Sequence, residues 1–343
     1  MQQIEEQIGR GDSHGHRWGV ILAGGDGMRL LPLTRKVAGD DRPKQFCAVI
    51  GNETLLSQTQ RRISRLIPQR RTLLVLTRMH APFYADHVDG MLSSQLVIQP
   101  SNRGTAPAIL YSLMRLFEMD PQGIVAVFPS DHCFIDEVRF VGHLDSAYAA
   151  AASQPQGIVL LGVPPESPEV EYGWIEPGVP VENPGKTSLF AISRFWEKPH
   201  HTLAAALMAR GCLWNTFIMV GRIGAFLDLI RQTIPDLLGA FEAIRPSLLT
   251  VCERTAAQDL YSALRVTNFS QDALSMAPAA LSVLCAEGLG WSDLGEISRV
   301  LSVLERHGRE ANGAFESGER TTGGGPRGSS RQVLGSNSVD TWR

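Results

Sequence analysis

An α/β fold, with a mostly parallel sheet covered by helices on both faces, is what this sequence predicts. Three observations carry that prediction. Short uninterrupted apolar runs recur along the 343 residues, stretches with helical spacing lie between them, and the first run ends in a glycine cluster. An apolar run without alternation suits a strand buried on both faces, and βαβ connections supply that burial.

The elements follow in order. Trp18 to Ala23 reads as a buried strand feeding the glycine cluster Gly24-Gly25-Asp26-Gly27. Further strands are expected at residues 73–76, 96–98, 124–128 and 158–163. Between them, helices are expected at residues 54–67, with Asn52 as cap, at 105–117 and at 137–153. The second of these places Ala106, Ile109, Leu110, Leu113, Leu116 and Phe117 on one stripe. After Val163 the pattern is less regular. Strands are read at 172–175, 189–196 and 281–286, and helices at 202–210, 223–234 and up to Leu304.

Three segments result: a flexible arm over residues 1–17, one folded unit over 18–308, and a disordered glycine- and serine-rich tail over 309–343. Within the arm, Gly11-Asp12-Ser13-His14-Gly15 matches a hydrolase nucleophile elbow in letters only, since no buried strand precedes it. No repeat of the hexapeptide kind is present.

Composition excludes several function classes. The net charge of −3 and the lack of a basic stripe argue against nucleic acid as a partner. No apolar run reaches the roughly 18–20 residues of a membrane span, and residues 1–17 do not read as a secretion signal. Five dispersed cysteines, without a CxxC pair, fit a reduced cytoplasmic chain. Neither a Walker A spacing nor a third glycine for the dinucleotide fingerprint follows Gly24 (Leu30 stands where that glycine would be). A dinucleotide-binding oxidoreductase is thereby disfavoured.

What remains at the glycine cluster is a turn carrying Met28 and Arg29, with Pro43-Lys44-Gln45-Phe46 downstream. Clustered glycines let backbone amides face phosphate oxygens, and an arginine fork plus a lysine point charge suit a polyphosphate. A surface turn with two cations is the competing reading. Gln99-Pro100-Ser101-Asn102-Arg103-Gly104-Thr105-Ala106 stands before a helix, as an anion or base-edge site or as a plain cap. Asp131, after the strand ending Phe128, suits a metal ligand or a turn. Asp293 in Trp291-Ser292-Asp293-Leu294-Gly295 suits a second ligand or a helix N-cap.

GGxGxRxxPLT followed by PKQF resembles the signature of sugar-1-phosphate nucleotidyltransferases, in particular those acting as mannose-1-phosphate guanylyltransferases. The residues carrying the resemblance run from Gly24 to Thr34 and from Pro43 to Phe46. NRGTAPA, PSDH, Tyr172-Gly173-Trp174-Ile175, Glu197-Lys198-Pro199 and Trp214-Asn215 are similar to further family segments, in the family's order.

The resemblance implies a Rossmann-like three-layer fold with a sugar-binding subregion in the second half. It implies GTP and a hexose 1-phosphate as partners, Mg²⁺ as cofactor, and is compatible with a homodimer. Residue by residue, it places the nucleotide at Ala23, Gly24, Gly25, Gly27, Met28, Arg29, Gln99, Asn102, Gly104, Thr105 and Ala106. The sugar phosphate falls to Tyr172, Gly173, Glu197, Lys198 and Asn215, the metal to Asp131 and Asp293, and catalysis to Arg29, Lys44 and Asp131. The reaction implied is in-line attack by the sugar phosphate on the α-phosphorus of GTP, with loss of pyrophosphate. Two features depart from the pattern. The spacer Arg35 to Arg42 is long and polar, and is read as a mobile lid; Thr216-Phe217-Ile218 stands where many members have Ser-Gly-Met or Ser-Gly-Ile. Another nucleotide or hexose 1-phosphate, and a non-catalytic sensor, stay open as alternatives.

Overall fold

The computed structural model describes residues 16–182 and 188–306. The nucleophile-elbow look-alike, most of the N-terminal arm and the tail from residue 309 lie outside the described residues. Nine strands are present among those described: β1 (Arg17–Leu22), β2 (Thr72–Thr77), β3 (Leu96–Gln99), β4 (Ile124–Pro129), β5 (Ile158–Val163), β6 (Gly173–Val181), β7 (Leu189–Glu197), β8 (Leu213–Arg222) and β9 (Leu281–Cys285). They form one sheet in the order β3-β2-β1-β4-β8-β5-β9-β7-β6. β1, β2, β3 and β4 run parallel to one another, as does the pair β5–β9. β8 runs antiparallel to both β4 and β5, and the β6–β7 hairpin completes the antiparallel end.

The apolar runs explain the layers. In β1, Val20 belongs to one core cluster and Ile21 to the other; Leu73 and Leu74 of β2 divide the same way, as do Val125 and Ala126 of β4. Successive side chains point to opposite faces, so the middle of a strand with both faces covered is apolar on both. Helices α1 (Leu31–Ala38), α2 (Leu55–Ile63), α3 (Ala81–Val88), α4 (Thr105–Met119) and α5 (Glu137–Ser153) occupy the first half. α4 packs on one face beside Val20 and Val127, while α2 and α5 pack on the other beside Ile21 and Phe128. Each fully buried aliphatic or aromatic side chain contributes about 1.5–3 kcal/mol. Helices α6 (His201–Ala209), α7 (Ile223–Thr233), α8 (Pro235–Ile244) and α9 (Glu253–Ala263) follow, α7 to α9 thickening the α4 face with Phe226, Ile230, Phe241 and Tyr261.

Several expectations are corrected. Residues 213–222, read for family motifs but not as a strand, form a ten-residue strand at the centre of the sheet. Asn215, Thr216 and Gly221 break its apolar run, which hides it from a periodicity reading. The first half of the polar spacer read as a lid is helix: α1 runs to Ala38 and is capped by Gly39, whose φ of 79° suits glycine at a helix C-terminus. Beyond it Arg35 forks onto Asp41 and Arg42 onto Asp40, so local ion pairs hold the segment. α2 is capped by Thr54 rather than Asn52, its hydroxyl accepting from the Ser57 amide at 3.1 Å. Arg17 is already in β1 and buried, with its guanidinium on Asp145. The described residues up to Leu301 form one compact unit, and the sites below lie within it.

Candidate functional site

The loop after β1 is built for close backbone approach. Thr77 donates to the Gly24 carbonyl at 2.8 Å, and a Cβ on Gly24 would lie 2.6 Å from Gln99 Nε2. Gly27 takes φ 60°, and its Cβ would lie 3.0 Å from the Lys44 amide nitrogen. Gln45 fixes the loop from beneath, its Nε2 donating to the carbonyls of Ala23 at 3.1 Å and Gly25 at 2.7 Å. With those carbonyls turned toward Gln45, the loop shape is set before any ligand arrives. Met28 and Arg29 follow in a short 3₁₀ turn, both exposed. Gln99 is buried, accepting from the Tyr261 hydroxyl at 3.2 Å, and so supports the loop from within the core.

Asn102 donates to Asp26 of the glycine loop at 3.0 Å and accepts from the Gly104 amide at 3.0 Å. The amides at the start of α4 are partly spoken for. The Ala106 amide donates to the Thr267 carbonyl at 3.1 Å, and the Thr105 hydroxyl accepts from the Phe269 amide at 2.8 Å. Gly104, at φ 89°, lies so close to Thr267 that a Cβ would stand 2.3 Å from its carbonyl oxygen.

Lys44 joins three distant stretches of chain. Its Nζ lies 3.2 Å from Asp131 Oδ2 and donates to the carbonyls of Asp293 at 2.7 Å and Leu294 at 3.1 Å. Three acceptors match the three protons of an ammonium. The antiparallel bridge between Cys133 and Ser292 brings Asp131 and Asp293 to this point from opposite ends of the sequence. Asp293 Oδ1 accepts from the Tyr172 hydroxyl at 3.0 Å, the Gly295 amide at 2.9 Å and Arg299 Nη1 at 2.7 Å. Burial alone would raise its pKa; His132, Arg299 and Lys44 outweigh burial and hold the carboxyl below its usual range. His132 goes the other way. Burial dominates over the attraction of Asp131 and Asp293 and lowers its pKa to about 4. The Trp291 indole donates to its Nδ1 at 3.1 Å, so the neutral ring carries its proton on Nε2, which faces Asp131 Oδ1 at 4.0 Å.

A Mg²⁺ ion asks for one or two carboxylates, the rest of its octahedron coming from phosphate and water. Among the described residues no group of three or more His, Cys, Asp or Glu is arranged for a metal. The chemistry of the pair nevertheless fits that lesser demand. Asp293 keeps Oδ2 outside the bonds that hold Oδ1, and Asp131 keeps Oδ1 outside the Lys44 contact.

The expected sugar side gathers at the end of the β6–β7 hairpin. Gly173 pairs with Glu197, and the Lys198 amide donates to the Tyr172 carbonyl at 3.2 Å. A Cβ on Gly173 would meet Glu197 Oε2 at 3.1 Å and Asn215 Cβ at 3.4 Å, so the three are immediate neighbours. Burial raises the Glu197 pKa against the pull of Lys198 and a hydrogen bond from Ser270. Asn215 is buried, and its Oδ1 accepts from the Phe217 amide at 3.0 Å, which stabilises a bulge in β8 opposite Leu160 to Gly162. Phe217 takes φ 60° there, a conformation that glycine adopts freely. Four non-glycine residues among those described have positive φ, and Lys198, Phe217 and Leu294 are three of them. Backbone strain is thus concentrated around this site.

Sequence reasoning missed Gln45, Arg299, Glu169 and Glu171. Arg299 binds Asp293, pairs with Glu169 at 2.9 Å and lies 4.6 Å above the Tyr172 ring. Its position six residues after Asp293, one helical turn into the next element, was the available signal. Glu171 carries no motif signal at all.

The family model described as Nucleotidyl transferase matches residues 18–308. "Mannose-1-phosphate guanylyltransferase 2" of Escherichia coli O157:H7 is 30% identical over 295 residues, 80% of this chain and 57% of the relative. "Alginate biosynthesis protein AlgA" of Pseudomonas aeruginosa is 28% identical over 309 residues, 88% of this chain and 60% of the relative. The chain therefore spans about 60% of the length of the curated relatives it matches. A solved structure from Thermus thermophilus, described as a mannose-1-phosphate geranyltransferase, superposes with a TM-score of 0.71 at 26% identity. That match covers 84% of this chain and 79% of the other. With a nine-stranded sheet, a constrained glycine loop and two aspartates meeting at one lysine, this chain belongs to the nucleotidyl transferase family.

Proposed function

We propose that this protein transfers a guanylyl group from GTP to mannose 1-phosphate, giving GDP-mannose and pyrophosphate. The observation that carries the reading is the meeting of Lys44, Asp131 and the Asp293 segment at one point beside the glycine loop. Guanine and mannose are supported by the likeness of the 102–108 loop to the family's purine loop and by the activity named for the first relative. The transfer needs no nucleophile from the protein: an oxygen of the sugar phosphate forms a bond to the α-phosphorus as the bond to the pyrophosphate oxygen breaks. Rate enhancement then comes from placing two polyanions and neutralising them. In this reading the exposed Arg29 stabilises the departing pyrophosphate, and Lys198 anchors the sugar phosphate. Lys44 reaches a phosphate oxygen by exchanging one of its three acceptors. Asp131 and Asp293 would hold Mg²⁺, which when bound neutralises phosphate oxygens. Tyr172 and Arg299 fix the orientation of Asp293, and the neutral His132 adds no cation to the point where the metal would sit.

The test is pyrophosphate release across four nucleoside triphosphates and several hexose 1-phosphates with Mg²⁺. GTP with mannose 1-phosphate is expected to give the highest kcat/KM. Preference for another pair would replace the substrates named here, and silence across the whole panel would favour a sensor. In Asp131→Asn, turnover should fall by at least ~10²–10³-fold while GTP still binds, by analogy with the loss of one electrostatic donor. Full pyrophosphate release by that variant would remove the metal role from Asp131.

A further inference from the structure

Two cations expected to meet phosphates are joined here by a carboxylate that belongs to neither motif. Arg29 Nη1 lies 3.0 Å and Lys198 Nζ 3.4 Å from the same atom, Glu171 Oε2. One cation comes from the turn after the glycine loop and the other from the end of the β6–β7 hairpin, so a single oxygen spans the nucleotide and sugar sides. Both cations are therefore close enough together for one phosphate group to bridge them. We propose that Glu171 is a specificity-determining residue that occupies this anion position until a polyphosphate displaces it. The inference rests on the nucleotidyl-transfer reading for its substrates, though not for its anion chemistry.

The surroundings explain how one side chain can do this without moving a loop. Glu169 accepts from the backbone amides of Val170 and Glu171 at 2.9 and 3.1 Å, is itself held by Arg299, and its carbonyl accepts from the Trp174 indole at 2.8 Å. The Glu171 backbone is thus tethered, while its side chain is 36% exposed and rotates about its own bonds. Lys198 is held at φ 48°, which fixes the direction of its stem. A singly charged competitor gains little by displacing a carboxylate that already satisfies both cations. Pyrophosphate or a nucleoside triphosphate brings several charges and reaches both, so it replaces Glu171 at a net gain. Ion pairs exposed to this degree are individually weak, which makes the displacement readily reversible.

Pyrophosphate binding to the full chain, measured by calorimetry with and without Mg²⁺, tests the idea without relying on turnover. Glu171→Gln should bind pyrophosphate about 3- to 10-fold more tightly than wild type, and inorganic phosphate should gain at least as much. Glu171→Asp, which keeps the charge on a shorter stem, should fall between the two. In the release assay, KM for both substrates should drop by more than kcat changes, a split that a merely structural role would not produce. Equal or weaker pyrophosphate binding by the Gln variant, or no binding by either protein, overturns the proposal. If the tighter binding is found while no substrate pair releases pyrophosphate, the nucleotidyl-transfer reading fails and the anion position stands.

Discussion

His132 carries no charge at neutral pH, and that sets how this centre responds to acid. Its pKa is lowered to about 4 by burial, against an ordinary value near 6.5. The unfolded chain therefore binds a proton between those values that the native chain refuses, and stability falls as pH drops from 6.5 toward 4. From this residue alone the loss at pH 5 is about 2 kcal/mol. Asp293 acts in the same direction, since a carboxyl held low in the native state loses its contribution on acidification. Urea unfolding at pH 7 and pH 5 checks this: His132→Asn should lose less stability between the two values than wild type does. An equal loss in both would show that the ring is protonated in the native state. Motif order singled out Lys44, Asp131 and Asp293, which the structure brings together, and Arg29, which it places against Glu171 instead. Gln45 and Arg299 were not singled out, because their roles depend on carbonyls and carboxylates that only the fold brings near.

At the scale of elements, loops rather than helices set the geometry. The stretch from Arg103 to Ala106 is tied to Thr267 by backbone hydrogen bonds and to the Phe269 amide through the Thr105 hydroxyl, beside the space that a Gly104 side chain would need. Gly104→Ala combines a clash at 2.3 Å with a positive φ. It should cost about 2–4 kcal/mol. Thermal unfolding should report a lowered midpoint, and nucleotide affinity should fall with it; an unchanged midpoint would mean that the contact with Thr267 is not maintained. The continuous strands and amphipathic helices of the first half were readable from periodicity, because two covered faces keep the middle of a strand apolar. β8 was not readable. Its bulge at Asn215 to Ile218 inserts polar residues and a left-handed Phe217 into what would otherwise be an apolar run. Phe217 stays there because its ring packs against the buried cluster under α4, where glycine would leave that surface open. α1 was missed for the opposite reason: its exposed Arg35 and Lys36 look like solvated spacer until the Gly39 cap is seen.

At the scale of the molecule, strand order matters more than strand count. β9 is the last of the described strands in sequence yet lies inside the sheet, between β5 and β7. A chain ending at Met276 would keep eight of the nine strands and lose an internal one, baring hydrogen-bonding edges on both neighbours. Such a truncated chain should show no cooperative unfolding transition and should aggregate; a sharp transition near the full chain's midpoint would contradict the strand's structural role. No order of this kind is readable from sequence, since apolar runs give strands but not their neighbours. The same arrangement has a consequence for how the protein is made. β5 finds its parallel partner only after about 120 more residues have been synthesised, which at about 5–20 residues per second takes roughly 6–24 s. Through that interval one rim of β5 waits on the ribosome without its mate, open to other nascent chains. Shortening that wait by faster translation of residues 164–280, or shielding it with a chaperone, should raise the yield of folded protein without altering a single contact in the finished site.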